Sequence, residues 1–336
     1  MNITETLKTL CDLSSIGFVN ETDEFLYDTF KKYSSVEKLN DGTVVATING
    51  TGNDTVILDA HVDEVGFVVT EVFDSGFLRV EKVGGIDDRI LPATPVTVFG
   101  NEKYAGVFSN TPPHLLKGSE KVTKTQDLFI DCSYLENPKE CISVGSFVTY
   151  ENSFLELSGG FVSAKSLDNR ASVLVLLLVA EALAGSNIKP TVKFVFSKAE
   201  ELGLRGAKTS AFNFEVSKAI VVDTTFGNFV NIPPHKTGEL SRGALIGISP
   251  VLDKGLSDSL KNTATNNNIP FQYEIMGGKT STDADVISTT KCGIPTALLS
   301  IPIRNMHTPS EVININDINW TAALIINYLL EGGAKC

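Results

Sequence analysis

Apolar residues recur along this chain in two rhythms, and the rhythm changes twice. In the first 35 residues Ile3, Leu7 and Leu10 share one helical face. Phe25, Leu26 and Phe30 share a face of a second helix, with Asn20 placed to cap it. VEKL and TVVATI then flank Asn40-Asp41-Gly42, a hairpin signal. The continuous run TVILDA suits a strand buried on both faces. From about Phe67 to Phe161 helical spacing is almost absent. FVVTEV, FLRVEKV, PVTVFG, YAGVFS, DLFIDC and SVGSFVTY alternate there with Gly, Pro, Asp and Ser turns. After Ser163 the first texture returns. A long apolar helix starts near Asp168, and TVKFVF, AIVVD, FQYEIM and TALLSIP alternate with helices, including ones near Leu256 and Ala284. A last helix runs from about Asp317 to Leu330 and stops at Gly332-Gly333. The pattern predicts an α/β fold: a mainly parallel central sheet with helices on both faces, interrupted by an inserted all-β domain. Residues 1–66 and 162–336 would form the discontinuous main domain and residues 67–161 the insertion.

Composition narrows the function classes. Of 336 residues, 42% are hydrophobic and 20% charged, enough for a sizeable core and unlike disordered, collagenous or coiled-coil chains. The net charge of −12 argues against nucleic acid or anionic lipid as a partner. The longest apolar run, Val173 to Ala180, is far short of the ~20 residues of a membrane helix. The N-terminal stretch has no basic start and no apolar core of a signal peptide. Five scattered cysteines without a CxxC fit a reduced, cytoplasmic protein.

The chemistry concentrates after the apolar strands, where open α/β sheets bind ligands. TVILDA runs into His61-Val62-Asp63-Glu64, and TVKFVF into Ser197-Lys198-Ala199-Glu200-Glu201. AIVV ends in Asp223, TALLSIP leads to His307, and Asp168 opens the long helix. Singly, each reads as a turn former, a solvated helix start or a surface histidine. Together, two His, two Asp and a Glu suit a borderline cation such as Zn²⁺, Co²⁺ or Mn²⁺. Five ligands exceed one tetrahedral ion and suit two metals sharing a carboxylate. In extended backbone Asp63 lies on the same side as His61 and can orient its ring. Glu200 and Glu201 point apart, so one can bind metal while the other serves as general base. No P-loop, GxSxG elbow or GxGxxG motif stands at a strand–helix junction, and His114 and His235 lie beside prolines in expected loops.

Five stretches occur in order: His61-Val-Asp-Glu-Val-Gly66, Ser166-Leu-Asp-Asn-Arg170, Glu200-Glu-Leu-Gly-Leu-Arg-Gly-Ala207, Thr282-Asp-Ala284 and Ile301-Pro-Ile-Arg-Asn-Met-His307. Val83-Gly-Gly-Ile86 adds a sixth inside the β-rich region. Together they resemble the dinuclear-zinc aminopeptidase family of glutamyl, deblocking and tetrahedral aminopeptidases, over nearly the whole chain. Some members of that family carry an endoglucanase label. The resemblance implies a phosphorylase/hydrolase-like main domain, a β insertion used in assembly, and dodecamers acting on peptides. It implies that His61, Asp168 and Asp223 hold one metal, and that Asp168, Glu201 and His307 hold the other. Asp63 would orient His61, and Glu200 would be the general base. Asn305 and Ser172 depart from the family pattern. Rival readings are another dinuclear-metal amidohydrolase, such as a deacylase or carboxypeptidase, an endoglucanase, and a non-catalytic binding protein. An endoglucanase needs two carboxylates flanking a glycosidic bond rather than a metal pair.

Overall fold

The computed structural model describes residues 1–112 and 124–333; His114 lies outside them. At its centre the strand Lys218–Phe226 is buried along its whole length except at Phe226. It pairs in parallel with Thr296–Ile303 on one side and Thr55–Asp59 on the other, and Thr191–Phe196 continues the parallel run. These strands read as unbroken apolar runs because helices cover both faces. Val56, Leu58, Ile220 and Val222 face one core, shared with Leu7 and Leu10, Leu26 and Phe30, the long helix Leu167–Leu183, and the helices Lys254–Asn266 and Ile315–Leu330. Ile57, Ala219 and Val221 face the other, shared with residues of Arg205–Asn213 and Ala284–Ile287.

The sheet has eight strands and is mixed, with four of its seven pairings parallel. Val44–Ile48 runs antiparallel to Thr191–Phe196, and Ser35–Lys38 joins it through the expected hairpin. There the Leu39 amide donates to the Thr43 carbonyl at 2.9 Å, and Gly42 takes the positive φ of +84° that the turn needs. At the other side Ala244–Ile248 is antiparallel to Thr296–Ile303 and carries the edge strand Phe271–Ile275.

Three local expectations shift. The strand expected to end at Asp223 continues through Thr224 and Thr225 to Phe226, paired with Ile301, Pro302 and Ile303. Asp223 therefore projects from mid-strand, and the pair of strands overshoots it as a wall. The long helix does not take up α geometry at Asp168: Asp168 (ψ 103°) and Asn169 are non-helical, across a cis peptide bond. Asn20 lies one residue ahead of the cap of Thr22–Phe30, where its Oδ1 accepts from the Thr22 amide at 2.7 Å.

The β-rich region forms a closed six-stranded barrel in the order Ile130–Asp131, Phe77–Val83, Gly66–Val72, Phe147–Tyr150, Pro95–Phe99 and Lys103–Phe108. Its own core includes Phe67, Leu78, Val80, Val98, Phe108 and Val148. A separate three-stranded sheet pairs Phe161–Ala164 with Leu155–Glu156 and with Glu311–Asn314. This small sheet matters for the site, because it sets Glu311 opposite Ala164, just ahead of the turn that carries Asp168. Among the described residues no helix is long and apolar enough to cross a membrane.

Candidate metal centre

Because the four inner strands are parallel, the segments leaving their carboxyl ends meet at one edge of the sheet. Asp59 leads to His61, Phe196 to the Glu200-Glu201 turn, and Ile303 to His307. His61 Nε2 lies 3.4 Å from Asp168 Oδ1 and 3.7 Å from Asp223 Oδ1. His307 Nε2 lies 3.2 Å from Asp168 Oδ2 and 2.9 Å from Glu201 Oε1. The residues thus form two three-ligand groups, His61–Asp168–Asp223 and Asp168–Glu201–His307, each with its donor atoms within 4.8 Å of one another. Asp168 belongs to both and offers one oxygen to each.

Buried carboxylates fix the backbone beneath this constellation. Asp63 lies behind His61, whose Nδ1 is 3.0 Å from the Asp63 carbonyl oxygen and 3.5 Å from Asp63 Oδ1. The Asp63 carboxylate also accepts from the amides of Glu200 at 3.0 Å and Glu201 at 3.3 Å. It therefore holds the turn as well as the ring. That turn closes with the Gly206 amide on the Lys198 carbonyl at 2.8 Å, where a Cβ on Gly206 would come within 2.4 Å of Lys198 N. Glu311 spans the two remaining ligand segments, accepting from the amide of His307 at 2.6 Å and of Asp168 at 3.1 Å. Glu64 accepts from Lys165 Nζ at 2.8 Å and Ser166 Oγ at 2.6 Å, bracing the approach to Asp168. Sequence reasoning missed Glu311. Its one visible signal is an acid opening the short strand EVIN, which acquires meaning only once that strand is placed beside Ala164.

The electrostatics match a site built for cations. Burial disfavours charge on His307, yet Asp168 and Glu201 outweigh it and push the imidazole up to about 11. Burial likewise opposes charge on His61, and Asp168, Asp223 and Asp63 together raise it well above its ordinary value. Burial works to raise Asp168, but the two imidazoles hold its carboxyl below the usual carboxylate range. Burial drives Glu201 and Asp223 upward, and Glu200 to about 10. Asp168 Oδ1 has no hydrogen-bond partner although it is fully buried. A buried acceptor left open among crowded carboxylates is an arrangement that divalent cations resolve. Imidazole and carboxylate donors suit Zn²⁺, Co²⁺ or Mn²⁺.

A cavity of about 580 Å³ opens beside the centre, lined by His61, Asp168, Glu200, Glu201, Asp223 and His307 on one side. Its far wall comes from the overshooting strand and the sheet edge and includes Thr225, Leu245, Tyr273, Glu274 and Met306. His235 and Lys236 reach its rim from a short turn of helix. Asn305, with φ +56°, donates from Nδ2 to the Ser310 carbonyl at 3.1 Å, and Ser172 is buried within the long helix outside this lining.

Comparisons with known proteins cover most of the chain. The chain is 30% identical over 297 residues to lysyl aminopeptidase of Pyrococcus furiosus, covering 86% of this chain and 84% of that one. It is 28% identical to glutamyl aminopeptidase of Lactococcus lactis over 280 residues, covering 78% and 76% of the two chains. Among solved structures, an aminopeptidase from the archaeon Desulfurococcus kamchatkensis superposes with a TM-score of 0.92 at 27% identity, over 98% of this chain and 94% of that one. The TET1 peptidase of Pyrococcus horikoshii does so at 0.86 and 29% identity, over 98% of this chain and all of that one. The family model for M42 glutamyl aminopeptidase matches residues 42–324, so this chain belongs to the M42 aminopeptidase family and is a peptide hydrolase.

Proposed function

We propose that this aminopeptidase acts through two divalent ions, one held by His61, Asp168 and Asp223 and the other by Asp168, Glu201 and His307. The observation that carries the reading is Asp168, a buried carboxylate common to both ligand groups, with one oxygen lacking any hydrogen-bond partner. Zinc is the ion that best suits this donor set. Bound there, such ions would supply Lewis-acid chemistry, acidifying water and neutralising charge on the peptide carbonyl oxygen.

The chain's own groups supply the remaining chemistry. Glu200 stands in the same wall without belonging to either ligand group, and it takes the proton of the attacking water and returns it to the departing amine. Asp63 orients His61 and the Glu200-Glu201 turn, and Glu311 fixes the backbone of the ligands on the other side. The barrel is read as an inserted domain over residues 67–161 that serves assembly. The enzyme is read as cytoplasmic and as a homo-oligomer; the TET1 structure to which the chain is similar is a dodecamer.

Elemental analysis together with a panel of aminoacyl substrates tests the reading. The expectation is about two divalent ions per chain, activity that requires a free α-amine, loss on chelation, and recovery with Zn²⁺, Co²⁺ or Mn²⁺. Full activity from metal-stripped protein would falsify it. The names of the relatives differ in the residue removed, lysyl in one and glutamyl in another, so the cavity rather than the ligand set must decide specificity.

A further inference from the structure

We propose that Glu274 makes the cavity selective for peptides whose first side chain carries a cation on an apolar stem, as lysine and arginine do. The inference rests on the aminopeptidase reading and assigns that reaction its substrate class.

Apart from the four acids of the metal centre, Glu274 is the one carboxylate among the described residues lining the cavity. It reaches from the edge strand across the sheet, where Thr225 Oγ1 donates to Oε1 and Ser300 Oγ donates to Oε2 at 2.6 Å. Two hydroxyls from two strands therefore lock the carboxylate in place. A carboxylate accepts about four hydrogen bonds, so half of its capacity remains for a ligand. Among the described residues no Lys, Arg or His forms an ion pair with it. A partly buried carboxylate with no cation of its own is destabilised until something brings one.

The path from the centre has the right length and lining. Asp223 and Thr225 are neighbours at i and i+2 on one extended strand, so they share a face about 6.5–7 Å apart. A substrate bound at Asp223 would send its first side chain toward Thr225 and the Glu274 carboxylate, a span that suits the four-carbon stem of lysine. Leu245, Met276 and Met306 give that stem apolar walls. Lys236 and Lys279 also line the cavity, but both are exposed with no ion pair, and water and salt screen such side chains.

The test compares zinc-loaded wild type with Glu274→Gln and Glu274→Lys on lysyl, arginyl, norleucyl and glutamyl p-nitroanilides. Norleucine has the lysine stem without the ammonium. Wild type should favour lysyl and arginyl over norleucyl substrate. The lysyl-to-norleucyl ratio of kcat/KM should fall ~10- to 100-fold in Glu274→Gln, the usual worth of a hydrogen bond to a charged group. Glu274→Lys should shift preference toward the glutamyl substrate. Ratios measured on one preparation are independent of how much of it is folded. A ratio unchanged by either substitution, or a wild type that prefers norleucine, overturns the role of Glu274. Equal loss on every substrate also overturns it, assigning Glu274 to the α-amine or to the fold. Failure of metal-loaded wild type on all four substrates refutes instead the aminopeptidase reading beneath it.

Discussion

Glu200 and Glu201 are the same chemical group one residue apart, and the proposed mechanism gives each a different task. Asp63 grips both amides, which fixes the turn that carries them. Glu201 lies 2.9 Å from His307 within a ligand group, while Glu200 faces the cavity outside both groups. Glu200→Gln should lower kcat by ~10²–10⁴ with both ions still bound, because the amide cannot accept the proton. Glu201→Gln should first lose one ion and regain part of its activity in excess metal. Metal content and kcat measured on both variants decide the matter; ion loss from the first and retention by the second would reverse the roles. At this scale the sequence was legible wherever chemistry coincides with a strand end, as at His61 and Glu200-Glu201. It was silent on Glu311, Thr225 and Glu274, whose meaning comes from partners more than a hundred residues away or across neighbouring strands.

Elements were legible where burial leaves a simple rhythm. The doubly covered strands and the hairpin at Asn40-Asp41-Gly42 stand out from the sequence for that reason. Asp223 hid the continuation of its strand because a buried carboxylate reads as a strand end, although here it projects from mid-strand. The strands Leu155–Glu156 and Glu311–Asn314 are too short to show a period. The barrel carries its own electrostatic anchor. Asp88 accepts from Lys82 Nζ at 3.0 Å and from the Thr125 amide at 3.2 Å. Burial works to raise its pKa, but the hydrogen bond from the Thr125 hydroxyl, then Lys82 and the Thr125 amide, outweigh it and hold the carboxyl at about 2, against an ordinary 3.8. A carboxylate with a depressed folded pKa stabilises above the unfolded value and loses that contribution as pH falls through 3.8 toward 2. Urea unfolding at pH 5 and pH 3 should therefore give a gap between wild type and Asp88→Asn that narrows on acidification. After solvent screening the gap at pH 5 should be on the order of 1 kcal/mol. A gap independent of pH would show that the carboxylate is not the source.

For the whole molecule, an exposed apolar surface lies past the overshooting strand. Phe226, Phe229, Val230 and Ile232 follow one another on the chain and are 58%, 55%, 75% and 40% exposed. Single exposed apolar residues are ordinary, but a run of this kind is what a subunit contact covers. Light scattering should give a mass that is a multiple of the 36.2 kDa chain, and Phe229→Asp with Val230→Asp should lower it. A wild-type monomer at working concentration would exclude the oligomer.

The two glycines at 84 and 85 connect the barrel to the metal centre. His307 Nδ1 lies 2.7 Å from the Gly85 carbonyl, and a Cβ on Gly85 would sit 3.3 Å from the same nitrogen. Gly84, at φ +83°, would place a Cβ 3.3 Å from Glu201 Oε2. The segment that leaves the barrel strand Phe77–Val83 thus presses bare backbone against two of the proposed ligands, and with Nδ1 engaged by its carbonyl, Nε2 of His307 is the ring nitrogen that would face an ion. The barrel is therefore not an interchangeable cassette. A lineage or an engineer exchanging it for another module, even one that folds and closes the chain equally well, would also have to supply the missing carbonyl and the space beside it.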